Sequence, residues 1–197
     1  MVASPGVPDT RLLFVVLFLA VGLERLLELA LSTRNARRAF ARGGVEAESP
    51  RFFALLAGVH AAFLLAAPLE VLLARRPFLP LLAWPMLALA AAAMALRYWA
   101  IATLGERWNT RVIVVPGDPA ATGGPYRWVR HPNYLAVMVE IAALPLVHGA
   151  WLTAVVFSVA NALLLRARLR HEEAALARLA GWSESFAGRG RFLPELR

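Results

Sequence analysis

Five apolar blocks separated by polar, Arg-bearing segments set the pattern of this chain. The first, 12–31, is apolar except for Glu24, Arg25 and Glu28 near its end. The second, 52–74, is interrupted by His60, Pro68 and Glu70, and the third, 78–104, carries Arg97 close to its end. After a polar stretch over 105–133 come two shorter blocks, 134–147 and 151–165, whose junction contains His148 and Gly149. A bilayer core of about 30 Å needs about 20 helical residues. The blocks therefore predict an all-α integral membrane protein with about five transmembrane helices, the last two forming a helical hairpin. Because that pair is short, a four-span alternative with a re-entrant hairpin stays open. The length of the runs argues against a soluble protein with buried helices. The first block ends in charge rather than at a small-residue cleavage site, which argues against a secretory signal. We read 1–197 as a single polytopic membrane domain with no internal repeat.

Composition sharpens this picture. Of 197 residues, 59% are hydrophobic and 17% charged, and the net charge of +8 comes entirely from Arg, since the chain has no Lys. A charge of that sign suits nucleic acid as well as a membrane surface, but the apolar runs make membrane lipid the expected partner and nucleic acid not. The absence of Cys excludes disulfides, thiolate metal sites and a Cys nucleophile. High Ala, Arg, Gly and Pro without Lys points to the coding bias of a GC-rich bacterial genome. Sixteen Arg fall in the segments 32–51, 105–133 and 166–197, against Arg11, Arg75 and Arg76 in the alternate segments. The positive-inside rule then predicts the amino terminus outside and the carboxyl terminus in the cytoplasm of a bacterial inner membrane.

Chemistry is expected where polar residues gather at one membrane face. In 105–133 the run Gly123-Gly124-Pro125-Tyr126 forces a turn with free backbone NH groups. Pro132 biases His131 away from helix and opens one near Asn133 and Tyr134. The second gathering, in 166–197, holds Arg168 and Glu172 four apart on one helical face, beside Glu173. A basic aromatic belt and a solvated helix end are the plain readings of the two. Five spans bring them to the same face, which makes a site. Carboxylates for an amine, Arg for a carboxylate and aromatic walls for a purine fit S-adenosylmethionine. Glu140, two turns into the fourth block, is a site candidate because an ionisable group is costly there. Its plain reading is an ion pair with a residue such as Arg97.

The run Gly124-Pro125-Tyr126-Arg127-Trp128-Val129-Arg130-His131-Pro132-Asn133-Tyr134, followed by Glu140, Arg168 and Glu172-Glu173, resembles the isoprenylcysteine carboxyl methyltransferase family of integral membrane methyltransferases. The resemblance carries specific motifs from about Leu104 to Pro194. It implies a cytoplasmic cofactor pocket formed by 105–133 and the C-terminal helix, with S-adenosylmethionine bound by Gly124, Pro125, Tyr126, Arg130, His131, Tyr134, Glu172 and Glu173. It implies Arg168, with Glu140, as the catalytic residues, Arg168 holding an anionic acceptor oxygen. More narrowly, Leu104–Val114 and Gly43-Gly44-Val45-Glu46 look like small bacterial members that methylate alkylpyrones. Trp108, Asn109 and Arg111 read either as interfacial anchors or as the substrate-binding lid over the acceptor. The chain departs from eukaryotic members in having fewer spans and Asn133 between Pro132 and Tyr134, which puts a prenylcysteine acceptor in doubt.

The expected activity is thus O-methylation of a lipophilic small molecule taken from the bilayer, such as the enol or phenol of an alkylpyrone or alkylresorcinol. Carboxyl methylation of isoprenylated cysteine and phospholipid N-methylation are the alternatives within methyl transfer. Some sterol reductases also carry an Arg-His-Pro-Asn-Tyr element, so an NADPH-dependent membrane reductase and a noncatalytic scaffold complete the field. Glu24, Arg25 and Glu28 read as neutralising one another at a helix end, with polarity for a substrate tunnel the alternative, and His60 and His148 as hydrogen-bonded core or interface residues. No HExxH or clustered ligand set supports a metal. The sequence does not speak to oligomeric state.

Overall fold

A computed structural model describes residues 9–178 and 182–194; positions 1–8, 179–181 and 195–197, including Arg197 and parts of the 166–197 element, lie outside the described residues. Among the described residues the chain is all-α apart from one short strand pair. Helix α1 spans Thr10–Ala41, α2 Pro50–Leu73, α3 Pro80–Leu104, α4 Pro132–Leu146, α5 Trp151–Arg178 and α6 Trp182–Ser185. Strand β1 (Val45–Glu46), between α1 and α2, pairs antiparallel with β2 (Ile113–Val114), between α3 and α4, in the register Val45 to Val114.

Among the described residues, α2, α3 and α5 are long and apolar enough to cross a membrane, and α4 is a shorter apolar helix. Their outer faces are hydrophobic: Leu65, Leu81 and Leu163 are more than 60% exposed, as lipid-facing side chains would be. The 32-residue α1 has the length to cross but carries Glu24, Arg25 and Glu28 on its apolar stretch, so it does not pass the same test of charge. Those charges are not left to lipid. Arg25 and Glu28 pair with each other and with Glu140 and Arg97 on other helices.

Local signals explain the boundaries. Asp9 caps α1 by accepting from Arg11 N, and Ser49 caps α2 from Phe52 N, with Pro50 at the first helical position. Small residues let α3 approach α4 closely, with Ala93, Ala100 and Ala136 at most 5% exposed. An aromatic core of Phe14, Phe18 and Phe63 ties α1 to α2 at the end remote from the 105–133 segment. There Glu70 accepts from Thr153 N at 2.7 Å, fastening α2 to the first turn of α5. At the Arg-rich end the helices part around a cavity of about 410 Å³, within the range of small-molecule sites.

Helix α5 outruns its apolar block, which stops at Leu165, and continues unbroken to Arg178. At 1.5 Å per residue, the stripe Asn161, Leu165, Arg168, Glu172 and Leu176 extends about 22 Å along one face of α5. That single stripe forms one wall of the cavity from end to end.

Candidate functional site

The turn that opens the site is built around Gly124, whose φ of +51° lies in the left-handed region. A Cβ at this position would also collide with Thr103 Oγ1, which is fixed by its own bond to Trp99 O. Gly124→Ala is therefore expected to cost about 1–3 kcal/mol, read as a lower unfolding temperature in detergent. Adding Thr103→Ala should return the steric part and leave the backbone part. Equal melting of Gly124→Ala and the parent would contradict this account.

Gly124 and Pro125 do not line the cavity; their 3₁₀ turn, Gly124–Arg127, delivers the buried Tyr126 side chain to it. Burial, followed by the Glu172 carboxylate, pushes the Tyr126 phenol above its ordinary range, so it stays a hydroxyl donor. His131, caught between this turn and Pro132 of α4, stacks on Tyr134 with ring centroids 5.5 Å apart. Tyr134 donates to Glu172, and Arg130, His131, Tyr134 and Glu172 all reach the cavity wall.

Glu172 and Glu173, neighbours in sequence, separate in function. Glu172 faces the cavity. Glu173 turns away to accept from Arg191 Nη2 at 2.6 Å and to meet His131 Nε2 at 3.1 Å, with Arg130 at 4.0 Å. The backbone completes this strap, since Arg130 N and His131 N donate to Gly190 O and Arg191 O. Arg130, His131 and Arg191 on one carboxylate thus hold the segment after α6 against the start of α4, and Trp182 and Phe186 are placed on the cavity wall.

Arg168 is 5% exposed yet lines the cavity. Its guanidinium donates to Thr110 O, lies 5.5 Å from the Tyr134 ring centroid, and has Nε 3.5 Å from Glu48. Sequence reading missed Glu48. It precedes the Ser49 cap and looks like any loop carboxylate, but β1–β2 pairing carries it inward until its side chain is 1% exposed. Burial raises its carboxyl above the usual range, with Arg168 pulling the other way.

Trp108, Asn109 and Arg111 form the roof over the same cavity. Trp108 is 2% exposed and its carbonyl accepts from Asn35 Nδ2 at 2.8 Å. Asn109 Oδ1 accepts from Ser32 Oγ at 2.6 Å, and Arg111 Nε donates to Glu46 at 2.6 Å. Arg25, Glu28, Ser32 and Asn35 recur at three- and four-residue spacing on α1, a polar face that the apolar block concealed. Glu140 stands apart. It is absent from this wall, lines a separate cavity of about 50 Å³, and accepts from Arg25 Nη2 at 2.8 Å rather than from Arg97.

Trp108 Nε1 and Asn133 Oδ1, both on this wall, are buried without a hydrogen-bond partner. Together with the aromatic walls and Glu172, they offer donors and acceptors to a polar, purine-sized ligand.

Comparison with known proteins agrees with the motifs that form this site. The isoprenylcysteine carboxyl methyltransferase (ICMT) family matches over residues 86–178, from the second turn of α3 to the end of α5. The uncharacterised protein YpbQ of Bacillus subtilis (strain 168) is 35% identical over 167 residues, covering 83% of this chain and 96% of its own. An uncharacterised protein of Haemophilus influenzae is 29% identical over 172 residues, covering 85% and 98%. The chain aligns with nearly the whole length of both relatives, and neither name states an activity. With the turn, the His-Pro-Asn-Tyr element and the Arg168–Glu172 face assembled around one cavity, the chain belongs to the isoprenylcysteine carboxyl methyltransferase family of membrane methyltransferases.

Proposed function

We propose that this protein is an S-adenosylmethionine-dependent O-methyltransferase whose acceptor is a lipophilic enol or phenol drawn from the bilayer, with an alkylpyrone or alkylresorcinol the best fit. The observation that carries the reading is the single cavity on the α5 stripe, polar and aromatic near Glu172 and apolar along Phe53, Leu56, Val137 and Leu165. When bound, S-adenosylmethionine supplies an electrophilic methyl, whose C–S bond breaks as an acceptor oxygen lone pair forms the C–O bond. Tyr126, Trp182 and Phe186 would flank the adenine, and Glu172 and Asn133 Oδ1 would meet its polar edges.

Arg168 holds the acceptor as its anion. Its charge is permanent, and Thr110 O, Glu48 and the Tyr134 ring fix the plane of the fork, so orientation and charge come from one side chain. An amine acceptor would meet repulsion there, which argues against phospholipid N-methylation. An acidic enol has already released its proton to water and needs no dedicated base. The paired strands form part of the roof of the cavity, and the strap on Glu173 holds its rim. We further propose five spans in a bacterial inner membrane, amino terminus outside, with Arg168 and Glu172 on the cytoplasmic side where the positive excess falls.

The test is calorimetric titration of S-adenosylhomocysteine, with NADPH in parallel, into detergent-purified protein. Saturable binding of S-adenosylhomocysteine is expected. Glu172→Ala should weaken it about tenfold by removing a charged contact, and Glu173→Ala should weaken it indirectly by releasing the strap. Binding of NADPH alone to folded protein would transfer the assignment to a reductase.

A further inference from the structure

The inner end of the cavity is not apolar. Asn161, 3% exposed, lies one α5 stripe position below Leu165, and Arg97 and His60 reach the same end from α3 and α2. Arg97 is 6% exposed; its Nε and Nη2 are bound to Glu28, but Nη1 is buried with no partner. His60 Nδ1 stands 2.9 Å from Leu56 O, so that nitrogen carries the proton and Nε2 is left as an acceptor. A donor, an acceptor and an amide therefore converge at membrane depth, where polar groups are costly unless they serve a ligand.

We infer that this inner end is a hydrogen-bonding subsite for a neutral oxygen of the acceptor, a hydroxyl or carbonyl. The inference rests on the methyltransferase reading for the role of Arg168. Asn161 and Arg168 are seven residues apart on one face, about 10 Å along the helix axis. The acceptor is thus an amphiphile with two oxygen functions, one methylated beside Arg168 and one seated deeper. A terminal methyl at this depth would leave Arg97 Nη1 and Asn161 unpaired. A charged group does not fit either. Arg25 and Arg97 are already matched by Glu28 and Glu140, and with Glu24 nearby the carboxylates outnumber the arginines, so an anion meets excess negative charge. The oxygens of Glu28 are both engaged by arginine, which leaves a cation no free carboxylate at this end of the cavity wall.

Two probes test this on the detergent-purified full chain, with and without saturating S-adenosylhomocysteine: 4-hydroxy-6-pentyl-2-pyrone and its 5-hydroxypentyl counterpart, long enough when extended to bridge the two positions. The hydroxylated probe is expected to bind about tenfold tighter. Asn161→Leu should abolish or reverse the preference, a change that general loosening of the fold would not produce, and His60→Phe should reduce it. Equal binding, tighter binding of the pentyl probe, or binding of neither would overturn the subsite. Failure of S-adenosylhomocysteine to bind while the probes are still discriminated would overturn the methyltransferase reading alone.

Discussion

Arg168→Lys is expected to lower kcat by about 10²–10³-fold while leaving S-adenosylhomocysteine affinity within about twofold, the pattern of a group that acts on the reacting oxygen. Lys keeps the charge and much of the stem, but it loses the planar fork that meets Thr110 O, Glu48 and the Tyr134 ring together. A single ammonium cannot be held by all three, so the charge remains and its position does not. The residues proposed to contact the cofactor, Tyr126, Asn133, Glu172, Trp182 and Phe186, are left in place by this substitution. The measurement is release of S-adenosylhomocysteine with an acceptor that supports turnover, beside calorimetric binding on the same preparation. A variant that turns over normally would remove Arg168 from the chemistry. One that loses both properties would make it a structural residue of the pocket.

The parts of this molecule that repeat along the chain were legible in the sequence, and the parts made by distant segments were not. Apolar blocks predicted the helices because lipid-facing and packed positions are both hydrophobic, so composition alone marks them. For the same reason blocks misplace helix ends that leave the apolar zone. The first block ends at 31, yet α1 continues to Ala41, since backbone hydrogen bonding does not stop where hydropathy does; past the fifth block, the one-face spacing of Arg168 and Glu172 marked the continuation that α5 makes to Arg178. Turn chemistry located the Gly124-Pro125 corner because its backbone requirement is local. The β1–β2 pairing, the burial of Glu48 and the Arg25–Glu140 pair join residues 67 to 115 apart, or depend on such a joining, and leave no local trace. Glu172 and Glu173 show the limit within one motif. Their identity marked a site, but only the side-chain directions about α5 separate the cavity wall from the strap on Arg191.

The largest expected loss of stability comes from Arg97→Leu, about 3–5 kcal/mol, because it strands a buried carboxylate. Glu28 accepts from Arg97 at 2.6 and 2.5 Å and from Arg25 at 2.8 Å, and Arg25 also serves Glu140 at 2.8 Å. Three carboxylates, Glu24, Glu28 and Glu140, are balanced against two guanidiniums, a net charge of minus one. Arg97→Leu takes that to minus two in a medium where hydration cannot compensate. Removing the partner as well, in Arg97→Leu/Glu28→Leu, returns the balance to minus one with Arg25 still bound to Glu140. The double variant is therefore expected to regain most of the lost unfolding temperature, followed by tryptophan fluorescence in detergent. If the single variant melts with the parent, the network contributes nothing to the fold. The double variant also separates stability from recognition: folded but without Nη1, it should bind the two pyrone probes with nearly equal affinity.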